Sequence, residues 1–175
     1  MKRFGIIVIW FAVLIIDGVI LPALTGLPSG FGIIVFLSAL AITFGIHRWV
    51  LWFGIILAGI SELILASYFG VIIGAWLVMA TGWYFLNQFL STKPMGESDS
   101  FFSFVPSVFF GFVLTGLGEG AIWLISRFVY KSGFATTTLL GIVRSPMIVG
   151  VMAVELGLIL LVFRWFYSPK NSIYG

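Results

Sequence analysis

From Trp49 to Leu90 the chain reads WVLWFGIILAGISELILASYFGVIIGAWLVMATGWYFLNQFL, 42 residues in which Glu62 is the only formal charge. A helix rises about 1.5 Å per residue and the hydrocarbon core of a bilayer is about 30 Å thick, so about 20 apolar residues cross it. A run of twice that length must fold back on itself. The break falls at Ser67-Tyr68-Phe69-Gly70, which predicts one helix over 49–66 and a second over 70–90.

The same reading extends in both directions. Toward the N-terminus, His47-Arg48 closes an apolar segment over 31–46. Before it, the turn Thr25-Gly26-Leu27-Pro28-Ser29-Gly30 separates a first apolar segment over 5–24. Lys2-Arg3 ahead of that segment resembles a signal peptide. No small-x-small cleavage site follows, so it is expected to stay as an uncleaved first span. Toward the C-terminus, Ser91 to Ser100 is a polar loop. Two more apolar segments lie over 105–128 and 146–167, and 133–145 is expected to be a partial helix or an interfacial segment.

Composition agrees with this pattern. Of 175 residues 61% are hydrophobic and 9% charged, with a mean hydropathy of +1.21. Soluble domains carry about 25% charged residues. The expectation is an all-α, polytopic membrane helical bundle of about six transmembrane helices, forming a single transmembrane domain over 1–175. With the N-terminus in the cytoplasm, Lys2, Arg3, Arg48, Lys93, Arg164 and Lys170 fall inside, and Arg127, Lys131 and Arg144 outside. That bias places both termini in the cytoplasm. No basic cluster with interleaved aromatics points to nucleic acid. The absence of cysteine removes disulfides, thiolate metal sites and a cysteine nucleophile.

Lipid is already apolar, so helices in it associate through close backbone approach at small residues. The chain has 21 glycines. Gly54-xxx-Ala58, Gly59, Gly70-xxx-Gly74 and Gly116-xxx-Gly120 are candidate packing or partner interfaces. Trp49, Trp52, Trp83, Tyr84, Trp165 and Tyr167 stand near expected span ends, as an aromatic belt would.

Asp17, Glu62, Glu119 and Glu155 fall inside expected spans. A charge there costs roughly 2.5–3.5 kcal/mol on insertion scales, so each acid needs a partner, a proton or access to water. They outnumber the basic residues at membrane depth. Readings as a proton or cation path, a substrate site or a bond to a neighbouring helix all stay open. His47, the sole histidine, sits beside Arg48 without companion ligands, so no metal is expected. The chain has no GxSxG, HExxH, GxGD-type aspartate pair or P-loop, and no enzyme or cofactor is expected.

The first half carries a resemblance. An apolar span ending in Ile-Leu-Pro-Ala-Leu is followed by a Gly/Pro/Ser turn, an apolar span and the basic turn His47-Arg48. Then comes Phe53-Gly54-Ile55-Ile56-Leu57-Ala58-Gly59-Ile60-Ser61-Glu62-Leu63-Ile64, and after a short break Phe69-Gly70 opens another span. This is similar to the rod shape-determining MreD family, with its "G-F-x-x-G-L-x-x-D-x-x" stretch and a following span that opens with Gly. Glu62 stands for the family's aspartate, and Gly59 and Gly70 for its glycines. Gly30-Phe31-Gly32 stands where the family often has Pro-Asp. The resemblance covers about residues 1–90 and does not extend to 100–175.

It implies a non-catalytic protein of the bacterial inner membrane. Such a protein acts in the lateral cell-wall elongation machinery with MreC and the peptidoglycan synthases. It also implies kinship of fold with the substrate-binding subunits of energy-coupling-factor transporters. A small-molecule carrier subunit, with a pocket formed by some of Glu62, Glu119 and Glu155, is the alternative. The Ala-xxx-Ala docking pattern of such carriers is absent from the first span, which has only Ala12 and Ala23. An unrelated six-span channel or exporter is the third reading.

Overall fold

Gly45, at φ +68, ends one helix, and His47, in extended conformation, opens the next without a side-chain cap. These two residues set one inter-helix boundary in a computed structural model. It describes residues 2–20, 31–65, 69–90, 104–130 and 146–167. Expectations for 21–24, the 91–100 loop and the 133–145 segment lie outside the described residues.

Six α-helices are described, with no strand among the described residues. They are α1 (Lys2–Ile15), α2 (Phe31–Phe44), α3 (Arg48–Ile64), α4 (Val71–Leu90), α5 (Phe104–Phe128) and α6 (Pro146–Tyr167). A π-helical turn, Ile16–Ile20, continues α1. Pro146 is the first residue of α6 and Pro106 lies in the first turn of α5, where a missing N–H costs no intrahelical bond. Gly70 takes φ +88 in the turn before α4, a conformation that glycine adopts without a Cβ penalty.

α2 is the centre of the bundle. Phe31–Phe44 contains no charge and is apolar on every face, the pattern of a helix enclosed on all sides. From Ile33 to Ala41 no residue is more than 1% exposed. α1, α3, α4, α5 and α6 all pack against it. Phe163 of α6 meets both Phe36 and Phe44 edge-on.

The outer surface is apolar as well. Phe4, Val8 and Phe11 on α1, Trp52, Ile56 and Leu63 on α3, Phe109 on α5 and Leu158 on α6 are exposed. Two helices, α4 over Val71–Gln88 and α5 over Val105–Phe128, are long and apolar enough to cross a membrane. Phe4–Ile20 and Gly32–Phe44 are apolar but shorter.

Small residues let the helices approach. The Trp76 indole of α4 lies against Gly54 of α3 and donates from Nε1 to the Leu51 carbonyl at 3.1 Å. Ile125 fills the space over Gly74, and Leu156 the space over Gly111. Ala58 is buried, and Gly59 lies 3.6 Å from Ile73 Cδ1. Gly70 acts in a turn instead, with nothing near the position of a Cβ. Gly116 and Gly120 likewise face open space. Of the aromatics near helix ends, Trp52, Tyr84 and Trp165 are exposed, and Trp49 is half-buried between Phe44 and Phe53. Trp83 departs from the belt expectation. It is 3% exposed and packs edge-on against Phe110 in the α4–α5 interface.

Polar side chains form short interhelical links. Thr115 of α5 donates to Ser38 Oγ of α2 at 3.0 Å, and Ser38 donates to the Ile34 carbonyl. Trp10 of α1 donates to Ser61 Oγ of α3 at 3.1 Å. Tyr130, just beyond α5, donates to the Phe69 carbonyl in the turn before α4.

Candidate functional site

Three of the four acids fall into two arrangements. Glu62 lies in the last turns of α3 and is 1% exposed. Its Oε2 accepts the N–H of Gly70 at 2.8 Å, and its Oε1 accepts those of Ile72 at 2.5 Å and Ile73 at 3.0 Å. These donors belong to the first turn of α4, where no intrahelical acceptor exists. A carboxylate there also faces the positive end of the helix dipole. Glu62 therefore does for α4 what an N-cap side chain does locally, reaching across from the preceding helix. The connection from α3 to α4 is fixed at both ends, since Gly70 supplies the turn and the carbonyl that starts α4.

Asp17 and Glu155 form the second arrangement. Asp17 lies in the π-helical turn, whose wider i→i+5 winding shifts the facing of residues relative to the α-helix before it. It is fully buried, and its Oδ2 accepts the N–H of Ile33 at 3.3 Å in the first turn of α2. Gly32 makes this approach possible. A Cβ on Gly32 would fall 2.5 Å from Glu155 Oε1 and 3.2 Å from Asp17 Cγ. The carboxyls of α6 and of the π turn thus meet over the N-terminus of α2. Glu119 lies on α5, and no hydrogen bond joins it to either of them. Oε1 of Glu119 and Oε2 of Glu155 are buried and accept no hydrogen bond.

Among the described residues, no three His, Asp or Glu side chains are placed to hold one metal ion. His47 is exposed at the start of α3, away from any such group. An apolar groove of about 330 Å³ runs between the π turn and the end of α3, lined by Phe11, Leu14, Gly18 and Ile64 among others. No family model, curated protein or solved structure matches this chain.

The sequence grouped all four acids by depth alone. The structure brings Asp17 and Glu155 together over Gly32 and gives Glu62 a separate task. It also adds Trp10 and Ser61, a buried pair that sequence reasoning did not single out. A tryptophan inside an apolar helix and a serine beside Glu62 were the available signals.

Proposed function

We propose that this chain is a six-span integral protein of a bacterial inner membrane. On this reading it is a non-catalytic scaffold of the MreD type, working with MreC-like and synthase partners in lateral wall elongation. The membrane part is supported by an exterior studded with large apolar side chains on α1, α3, α5 and α6. Water does not tolerate so extensive a surface, whereas lipid does. At 14 residues α1 alone is near 21 Å, and the π turn that continues it brings the apolar helical stretch closer to the thickness of a bilayer core.

The observation that carries the scaffold reading is the Glu62 cap. The stretch resembling the family is an acid near the end of one helix and a glycine opening the next. Here that pair is a structural joint, with Glu62 spent on the backbone of Gly70, Ile72 and Ile73. A scaffold needs such rigidity and needs no free carboxylate at that point. The carrier alternative loses one of its three pocket acids to the same joint. Gly116 and Gly120, whose Cβ positions are open, offer a small-residue face on α5 for a partner helix.

The test is co-purification of the tagged full chain with an MreC-like protein from its host, paired with depletion. Recovery of that partner and widened cells are expected. Normal cell width after depletion, with no elongation protein recovered, would remove the reading.

A further inference from the structure

We propose that the outward face of α3 is a binding site for an anionic phospholipid, with His47 and Arg48 at its phosphate, Trp52 at its ester groups and Ile56, Ile60 and Leu63 along an acyl chain. The inference rests on the membrane part of the proposed function and not on wall elongation.

The two faces of α3 differ. Val50, Gly54, Leu57, Ala58, Ser61 and Glu62 are buried against the bundle. His47, Arg48, Trp52, Ile56, Ile60 and Leu63 are exposed. From Arg48 onward these recur every three or four residues, so one strip of the helix carries them. The strip changes character along its length. It starts with a guanidinium and an imidazole, passes through an indole that is 58% exposed, and ends in aliphatic side chains. A phospholipid has the same order of phosphate, ester and hydrocarbon. Indoles favour the ester level, because the ring is apolar and its N–H is polar. From Trp52 to Leu63 the strip runs about 16 Å along the axis, close to half of a hydrocarbon core of about 30 Å. An acyl chain whose headgroup lies at Arg48 therefore has aliphatic contact over most of its length. A partner helix fits the strip less well, since helices in lipid approach through small residues and these side chains are large.

Charge selects the headgroup. The ring centres of Trp49 and Phe44 are 5.7 Å apart, as are those of Phe44 and Phe163, which sets the end of α6 beside the start of α3. Arg164 follows Phe163, so its charge adds to the field at this end. The last turn of the first helical stretch meets the start of α2 through Asp17 and Ile33, so Lys2 and Arg3, where α1 begins, belong to the Arg48 end as well. No acid stands on the second half of α2, the first three turns of α3, or the last two turns of α4 and α6. Glu62 is at the far end of α3 and turned toward α4. The 91–100 loop, with Lys93, Glu97 and Asp99, lies outside the described residues. This end attracts a headgroup with a net negative charge, whereas the ammonium of a zwitterionic headgroup cancels the gain. One basic residue near a membrane surface shifts affinity for anionic lipid about fivefold. Arg127 on α5, exposed as well, is drawn over the Trp123 ring at 5.6 Å instead.

The purified full chain is first tested for its need of detergent. A chain that stays compact and monomeric in buffer alone removes the membrane reading, and this inference with it. The lipid test is then made in uncharged detergent. Phosphatidylglycerol and phosphatidylcholine with the same brominated acyl chains are titrated separately, and quenching of tryptophan fluorescence is read. Phosphatidylglycerol should bind at least about fivefold more tightly, and the preference should shrink as salt is raised. R48Q should lose about fivefold of the preference. R127Q, at the end of α5 that packs beside the start of α4, should keep it. W52F should lower the fraction of fluorescence that phosphatidylglycerol quenches. Equal binding of the two lipids, by a chain that does need detergent, overturns this inference and leaves the membrane reading standing. A loss in R127Q as large as that in R48Q, or an unchanged quenched fraction in W52F, overturns it too. Should R48Q fail to fold, the preference of the native chain, its salt dependence and W52F decide.

Discussion

The indole of Trp76 occupies the space that any side chain on Gly54 would need, with its ring 2.3–2.6 Å from the position of a Cβ there. The contact is also directional, because the same indole donates to the Leu51 carbonyl one turn earlier on α3. A buried ring held by backbone on one side cannot step aside cheaply. Gly54→Ala should therefore destabilise the bundle by about 1–3 kcal/mol, the usual cost of overpacking. Gly116→Ala, where the Cβ would meet open space, should change stability by under about 0.5 kcal/mol. Thermal unfolding in one detergent compares the two, and equal losses would contradict the packing described.

Glu62→Ala removes the acceptor of three backbone donors at the start of α4. Leaving buried donors unsatisfied costs roughly 1–3 kcal/mol, and the charge of the acceptor places this case toward the upper end. Hydrogen exchange should quicken at Ile72 and Ile73 before it quickens in the middle of α4. Uniform protection along α4 in the variant would mean that the cap is dispensable.

Thr115→Val removes one interhelical hydrogen bond, the one to Ser38, and keeps the side chain's volume. If the bundle lies in a membrane, as proposed, such bonds average about 0.6 kcal/mol, and a shift of that size is expected. Ser38→Ala removes the same link and also the contact of Ser38 Oγ with Met79 Sδ at 3.3 Å, so it should cost more, and a double-mutant cycle should show the coupling of positions 38 and 115. Additive losses would place the two side chains in separate networks.

The lack of cysteine makes topology directly measurable. Thr92→Cys and Ser132→Cys each introduce the sole thiol of the chain. With six crossings and a cytoplasmic N-terminus, an impermeant maleimide added to intact cells should label position 132 and spare position 92. The reverse pattern would invert the orientation drawn from the Lys and Arg distribution.

The all-α class and the positions of the helices were legible because the apolar runs are long and their interruptions are chemically distinct. His47-Arg48 and Gly70 both fall at helix boundaries. The enclosure of α2 was hinted at by its uncharged, all-round apolar sequence. The grouping of the acids was not legible. Asp17 and Glu155 come from different helices, and nothing local in sequence encodes which helices adjoin. The π turn that re-aims Asp17 has no residue signature comparable to a proline or a cap. Trp83 shows the limit of the belt argument, since a tryptophan near a helix end points inward when a neighbour such as Phe110 offers its edge.

The enclosure of α2 sets an order on assembly. One of its sides is closed by Phe163, which comes far later in the chain than Phe36 and Phe44, so that side stays open until the segment carrying α6 has been made. In a bilayer, as proposed above, acyl chains would fill that side in the interim, because exchanging them for a side chain changes packing and not polarity. Completing the core would then mean that Phe163 displaces lipid from against α2.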